Sequence, residues 1–374
     1  MANEIRWVVG DFPLIVYRIE AQLNSQRKRT TNRLFSLLMV LAGVFPAVMW
    51  SCAMQDSALK TEWEAPVEKE VFEPAVYRSD DYAIYQLVGG ETPHFLAERF
   101  LGDSKKWWVI EDENKGVNFR PGQLVVIPLK EMNKGGLAPE GYQVLPILCY
   151  HRFAENCKSS NCMPAHVFEG QMRYLKENNY RVITLGEFCD FLQYRHSLPE
   201  RSVVITIDDG YRSVYDIAYP ILNEFGFKAT LFIYTDYVGI SKGAITWDQL
   251  REMKARGFEV GAHTVTHCDL TKAEEGEDDQ AYLERIRREL MVSKQIINEE
   301  LKQDTVYLAY PYSNYNQRVL HIAEEAGYKL GLTVERGGNP FFADPLTLKR
   351  DPVIKKDMDT FLRRLKPFHE FALE

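Results

Sequence analysis

Val203-Val204-Ile205-Thr206-Ile207-Asp208-Asp209-Gly210 is the stretch from which the rest of the chain can be read. Its first five residues are all β-branched, which favours a strand, and the run is too short for a helix. Apolar residues point to both faces, so the strand is covered on both sides, as in a parallel sheet packed under helices. The run ends in two adjacent carboxylates. Side by side at the end of a buried strand, they repel each other and lose hydration. A bound cation would relieve both penalties, whereas a solvated Asp-Gly turn would need none.

Three further apolar runs end in the same way. Val144 to Tyr150 leads into His151, Phe258 to Ala262 into His263, and Val306 to Tyr310 into Pro311-Tyr312. Helical patterns lie between them. Thr246 and Gln249 form a capping box ahead of Leu250 and Met253, and Gly226, Gly257 and Gly327 stand where helices should stop. Parallel strands alternating with helices predict an α/β barrel whose strand ends gather on one rim. His263 and His267, four residues apart, could share a helical face or a turn at the strand end. With Asp209 they make two nitrogen donors and one oxygen donor, leaving positions open for water and substrate. That set suits Zn²⁺, and Fe²⁺, Co²⁺ or Ni²⁺ would also fit.

Three motifs in this order resemble the NodB-homology polysaccharide deacetylases, carbohydrate esterase family 4, over about residues 143–355. They are Ile205-Thr206-Ile207-Asp208-Asp209-Gly210, His263-Thr264-Val265-Thr266-His267 and Ala309-Tyr310-Pro311-Tyr312. The resemblance implies a distorted (β/α) barrel, a divalent metal on Asp209, His263 and His267, and Asp208 as general base. It gives the Tyr312 backbone N–H to the oxyanion and places Tyr310, Pro311 and Trp247 at the substrate. Two departures matter. The arginine that many members carry two positions before the third motif's proline is Ala309 here, which makes Arg350 a candidate partner for Asp208. The C-terminal Leu-x-His is absent, although His369 lies in the tail. Tyr150-His151 instead resembles the exopolysaccharide-deacetylase branch, in which this histidine supplies the catalytic acid. The implied reaction is hydrolysis of N-acetyl groups from glucosamine residues of a polysaccharide, releasing acetate. Peptidoglycan, poly-N-acetylglucosamine, a mixed exopolysaccharide and chitin oligomers all remain open. One rival is a non-catalytic glycan-binding protein with a vestigial site. An iron(II) oxygenase is disfavoured, because here the two histidines are the close pair and the acid comes first.

Residues 81–130 read as a separate α+β unit: a strand at 82–88, a helix at 92–100 with Phe95, Leu96 and Phe100 on one face, a helix at 105–113, and a strand from Leu124 to Ile127. Gly90-Glu91-Thr92, Leu96 to Phe100, Trp107 to Asn114, and Pro121-Gly122-Gln123 before Val126-Ile127-Pro128 resemble a lysin motif (LysM). That resemblance implies binding to N-acetylglucosamine-containing glycans. Residues 53–80 and 131–142 read as linkers, with the large domain at 143–374.

The first 52 residues carry Arg27, Lys28, Arg29 and Arg33, then an apolar run from Leu34 to Trp50, then Ser51-Cys52. This order describes a signal peptide or membrane anchor. The cysteine's place resembles a bacterial lipoprotein signal, which would lipidate Cys52. Export to the periplasm or cell envelope is therefore expected. Cys157 and Cys162 could then pair as a disulfide, while Cys149 and Cys189 sit in apolar surroundings that suit a core. A formal net charge of −8 implies no basic surface for nucleic acid, and does not disfavour a neutral sugar polymer.

Overall fold

The computed structural model describes residues 76–131 and 133–370. The Leu34–Trp50 run, Cys52 and most of the expected linker at 53–80 lie outside the described residues. Among the described residues no helix is long and apolar enough to cross a membrane.

The small unit comprises β1 (Val76–Arg78), β2 (Tyr82–Gln86), α1 (Pro93–Leu101), α2 (Trp107–Glu113) and β3 (Leu124–Pro128), its strands forming the antiparallel sheet β1-β2-β3. Thr92 caps α1 by accepting from the Phe95 N–H. Leu96, Ala97 and Ile110 bury against Tyr85, Val125 and Ile127. Phe95 differs from expectation. It is half exposed, because the buried face of α1 runs through Leu96 and Ala97. The Asn114 amide ties α2 to β3, accepting from the Val126 N–H at 2.8 Å and donating to the carbonyls of Val126 and Ile110.

The stretch 131–142 is more than a linker. β4 (Leu137–Ala138) pairs with β5 (Gly141–Gln143), and β5 pairs with the strand at Phe368–Glu370. Likewise β1 falls within the stretch read as the first linker. Short strands of two or three residues carry too little periodicity to show in a sequence.

The large domain follows as β6 (Ile147–Tyr150), the short pair β7 (Arg152–Ala154) and β8 (Cys162–Pro164), α3 (Ala165–Glu177), β9 (Arg181–Val182), α4 (Leu185–Leu192), β10 (Ser202–Ile207), α5 (Tyr219–Phe225) and β11 (Thr230–Ile233). It continues through α6 (Trp247–Ala255), β12 (Glu259–Ala262), α7 (Asp279–Leu301), β13 (Tyr307–Ala309), α8 (Gln317–Glu325), β14 (Leu330–Leu332), β15 (Asp351–Pro352), α9 (Met358–Arg364) and β16 (Phe368–Glu370). The main sheet is parallel, in the order β14-β13-β12-β11-β10-β6-β15. Every residue of β10 is buried, as a strand covered on both faces requires. The sheet curls until its edges meet. Leu348 bridges Leu332 beside β14, and Asp351, three residues on, pairs with Leu148 of β6. The expected capping box at Thr246 and Gln249 forms at α6, and Gly226 takes the left-handed cap of α5. Cys157 and Cys162 are disulfide-bonded, and Cys149 and Cys189 are buried.

The small unit is docked on the barrel. Arg181, at the start of β9, pairs with Glu111 and lies 4.1 Å over the Trp107 ring, which also stacks on His94 at 4.6 Å. Lys115 pairs with Glu200 at 2.6 Å, and the Ser197 N–H donates to Glu131. These contacts lie at the amino-terminal ends of β9 and β10, on the face away from the rim where the expected catalytic residues sit.

Candidate active site

The carboxyl ends of β6, β10, β12 and β13 bring the expected residues together. Asp209 Oδ1 lies 3.7 Å from His263 Nε2 and 3.5 Å from His267 Nε2. One donor atom from each residue falls within 4.8 Å of the others. A tetrahedral site with bonds of about 2.0–2.1 Å sets donor atoms roughly 3.3 Å apart, so the triad is close to metal spacing. His263 is buried, and its Nδ1 lies 2.7 Å from the Ala309 carbonyl. That contact puts the proton on Nδ1 and leaves the Nε2 lone pair facing Asp209. Burial also lowers the His263 pKa against the pull of Asp208 and Asp209, keeping the ring in its neutral, ligand form.

The histidine pair sits in a turn, not on a helix. Thr264 and His267 have φ of 72° and 63°, and Asp209, Tyr312 and Ser313 are also left-handed, at 74°, 57° and 66°. Non-glycine residues in this region carry strain of about 1–3 kcal/mol each, which persists where the surroundings over-determine it. Here they do. Glu289 of α7 accepts from the backbone N–H groups of Val265 and Thr266, both at 2.9 Å, and from the Thr266 hydroxyl. Asp269 joins the second and third motif loops by accepting from the Asn314 amide at 2.8 Å.

Asp208 is buried just below the triad, in a bidentate pair with Arg350: Nη1 to Oδ1 at 2.7 Å and Nη2 to Oδ2 at 2.8 Å. Arg350, fully buried, also donates to the Thr333 carbonyl and the Thr206 hydroxyl. It sits on the segment that closes the sheet, between the Leu348 bridge and β15. Burial alone would raise the Asp208 pKa, but Arg350 and, to a lesser degree, His263 and His151 hold it well below the usual carboxylate range. His151, half-buried after β6, brings a ring nitrogen within 4.8 Å of Asp208 and Cys149. That second cluster is a poor cation site, because the guanidinium occupies both Asp208 oxygens and burial pushes the Cys149 thiol well up.

Tyr312 is exposed, and its hydroxyl lies 3.2 Å from His267 Nδ1. The turn it occupies is closed by the Ser313 and Asn314 N–H groups, so neither closing bond uses the Tyr312 N–H. Tyr310 and Pro311 are buried. The Tyr310 hydroxyl donates to the Leu346 carbonyl, and burial of the side chain leaves its ring no face for a substrate. Trp247 is half-buried at the start of α6 and packs on the main core. His369 lies on β16 and stacks on Tyr142, at the sheet that includes β5.

Sequence reading missed Glu289 and Asp269. Glu289 left a signal: a carboxylate among the inward positions Ile286, Leu290, Ser293 and Ile297 of an amphipathic helix.

Residues 195–331 match the family model described as Polysaccharide deacetylase. The chain is 33% identical over 193 residues to the Bacillus subtilis (strain 168) protein YxkH, named as a candidate polysaccharide deacetylase. The match covers 52% of this chain and 65% of that relative's length. It is 29% identical over 208 residues to the poly-β-1,6-N-acetyl-D-glucosamine N-deacetylase of Staphylococcus aureus (strain MRSA252), covering 54% of this chain and 71% of the relative. Among solved structures, the fold is similar to the Streptococcus pyogenes deacetylase PplD in complex with acetate, with a TM-score of 0.54, 28% identity, and coverage of 61% of this chain and all of that one. It is also similar to IcaB from Ammonifex degensii, with a TM-score of 0.53, 27% identity, and coverage of 60% of this chain and 97% of the other.

Proposed function

We propose, from the premise that this chain carries a domain of the polysaccharide deacetylase family, that it removes N-acetyl groups from N-acetylglucosamine residues of an exopolysaccharide such as poly-β-1,6-N-acetylglucosamine. The observation that carries this reading is the pairing of an open Asp209–His263–His267 triad with an ionised carboxylate, Asp208, beside it. A divalent cation, Zn²⁺ by the donor set, fits the triad; Lewis acidity toward the acetamide carbonyl and toward water is what it supplies when bound. Asp208, kept ionised by Arg350, accepts a proton from the attacking water. The water oxygen adds to the carbonyl carbon, the C–N bond breaks, and acetate leaves. His151 gives a proton to the departing nitrogen, so the sugar is released as an amine. The Tyr312 N–H steadies the developing oxyanion.

The small unit acts as a LysM glycan-binding module that holds the enzyme on polymer. The basic cluster and the Leu34–Trp50 run direct export to the cell envelope, with Cys52 as lipid attachment point. Asp208→Asn tests the chemistry. It should keep the metal, since the ligand set is intact, and lose about 10²–10⁴-fold in kcat, the usual contribution of a general base. Wild-type turnover by this variant, measured as acetate release, would remove Asp208 from the mechanism.

A further inference from the structure

A row of rings runs along the rim beside the metal triad. The His267 ring, with Tyr312 at 4.7 Å on one contact, meets Tyr234 at 5.2 Å on another. Tyr234 stacks on Tyr237 at 5.1 Å, and Tyr237 meets Tyr211 edge-on at 5.7 Å, with the Arg152 guanidinium 5.9 Å from the Tyr211 ring. Tyr211, Tyr234 and Tyr237 are half-buried.

The loop that carries Tyr234 and Tyr237 is fixed at both sides. The Thr235 and Asp236 N–H groups donate to the Thr264 and Val265 carbonyls of the histidine loop. On the other side, the Ile245 N–H donates to the Gly210 carbonyl, and Arg212 bonds to Gly243. The loop thus spans from the Asp209 turn to the His267 turn, with its rings over the space between. Core packing alone does not call for three tyrosines at a rim. Pyranose rings carry an apolar face of C–H groups that packs on aromatic surfaces, and rigid aromatics offer that area at little entropic cost.

We infer that Tyr211, Tyr234 and Tyr237 form a stacking platform for a pyranose ring next to the residue being deacetylated, giving the enzyme its preference for polymer over single sugars. This rests on the proposed deacetylase function and adds a neighbouring sugar subsite to it. Tyr237 is the ring to test, because it is neither adjacent to Asp209 nor in ring contact with His267.

The experiment measures acetate release from β-1,6-linked N-acetylglucosamine oligomers of one to five residues, together with metal content. Wild-type KM should fall as the oligomer lengthens. Tyr237→Leu, which keeps bulk without an aromatic face, should raise KM for the five-residue oligomer about tenfold and flatten the length dependence, with metal content at the wild-type level. Tyr237→Phe should restore the wild-type KM. If Tyr237→Leu matches wild type at every length, or Tyr237→Phe is as poor as Tyr237→Leu, the stacking platform is wrong while the deacetylase function stands. If wild type releases no acetate from any oligomer, the proposed function itself fails and the subsite with it.

Discussion

Asp208 and Arg350 form the buried ion pair on which the site's protonation depends. Removing one partner of such a pair typically costs about 3–5 kcal/mol, because an uncompensated charge is left in the interior. Arg350→Met should therefore destabilise the fold by that order in chemical denaturation, and Asp208→Asn combined with it should recover part of the loss. The sign of the pH effect follows. Asp208 has a depressed folded pKa, so the pair's contribution is present above the unfolded carboxylate value near 3.9 and is lost as pH falls through the folded value. Without Arg350, the burial that now loses to the guanidinium pushes the Asp208 pKa up. The acid limb of the kcat–pH profile should then move to higher pH in Arg350→Met. An unmoved acid limb would show that the guanidinium does not set the protonation of the base.

The elements matter mainly through the turns they pin. Glu289 reaches from α7 to the backbone of Val265 and Thr266, and so holds the left-handed turn that aims His267 at Asp209. Glu289→Ala leaves the buried Val265 N–H without its carboxylate partner, at about 1–3 kcal/mol. Loss of groups that orient ligands commonly weakens metal affinity by about 10–100-fold. Competition with a chromophoric chelator should show a weakening of that order for Zn²⁺; equal affinity would mean the turn holds itself. At this scale the sequence was readable where chemistry sat at the end of an apolar run. Asp208, Asp209, His151 and His263 each follow a buried strand, and parallel strands bring those ends together. Arg350 could be named only as a candidate, since its reach to Asp208 depends on the 348–352 segment closing the sheet. The three tyrosines gave no signal, because their rings meet only when two loops from different strands are laid side by side. Phe95 misled because its helical spacing fits two faces equally well, and packing against β2 and β3 selected Leu96 and Ala97.

Among the described residues, the small unit and the metal triad lie at opposite ends of the parallel strands. The small unit clamps the amino-terminal strand ends through Trp107 and Arg181, while the triad opens at the carboxyl-terminal ends. If the small unit binds glycan as proposed, the stretch it holds is not the one being hydrolysed at that moment, and its effect on the reaction is one of local concentration. The stretches read as linkers at 53–80 and 131–142 hold β1, β4 and part of β5, and the Arg181–Glu111, Lys115–Glu200 and Ser197–Glu131 contacts seat the small unit on the barrel. Metal-dependent N-deacetylation is the central proposal. The most direct measurement is acetate and free-amine production from β-1,6-linked N-acetylglucosamine oligomers by the purified full chain, before and after chelation and again after Zn²⁺ is restored. Acetate and amine should form in equal amounts, cease on chelation and return with the metal. Undiminished release from fully chelated protein, or no release from metal-loaded protein on any N-acetylglucosamine polymer, would contradict it.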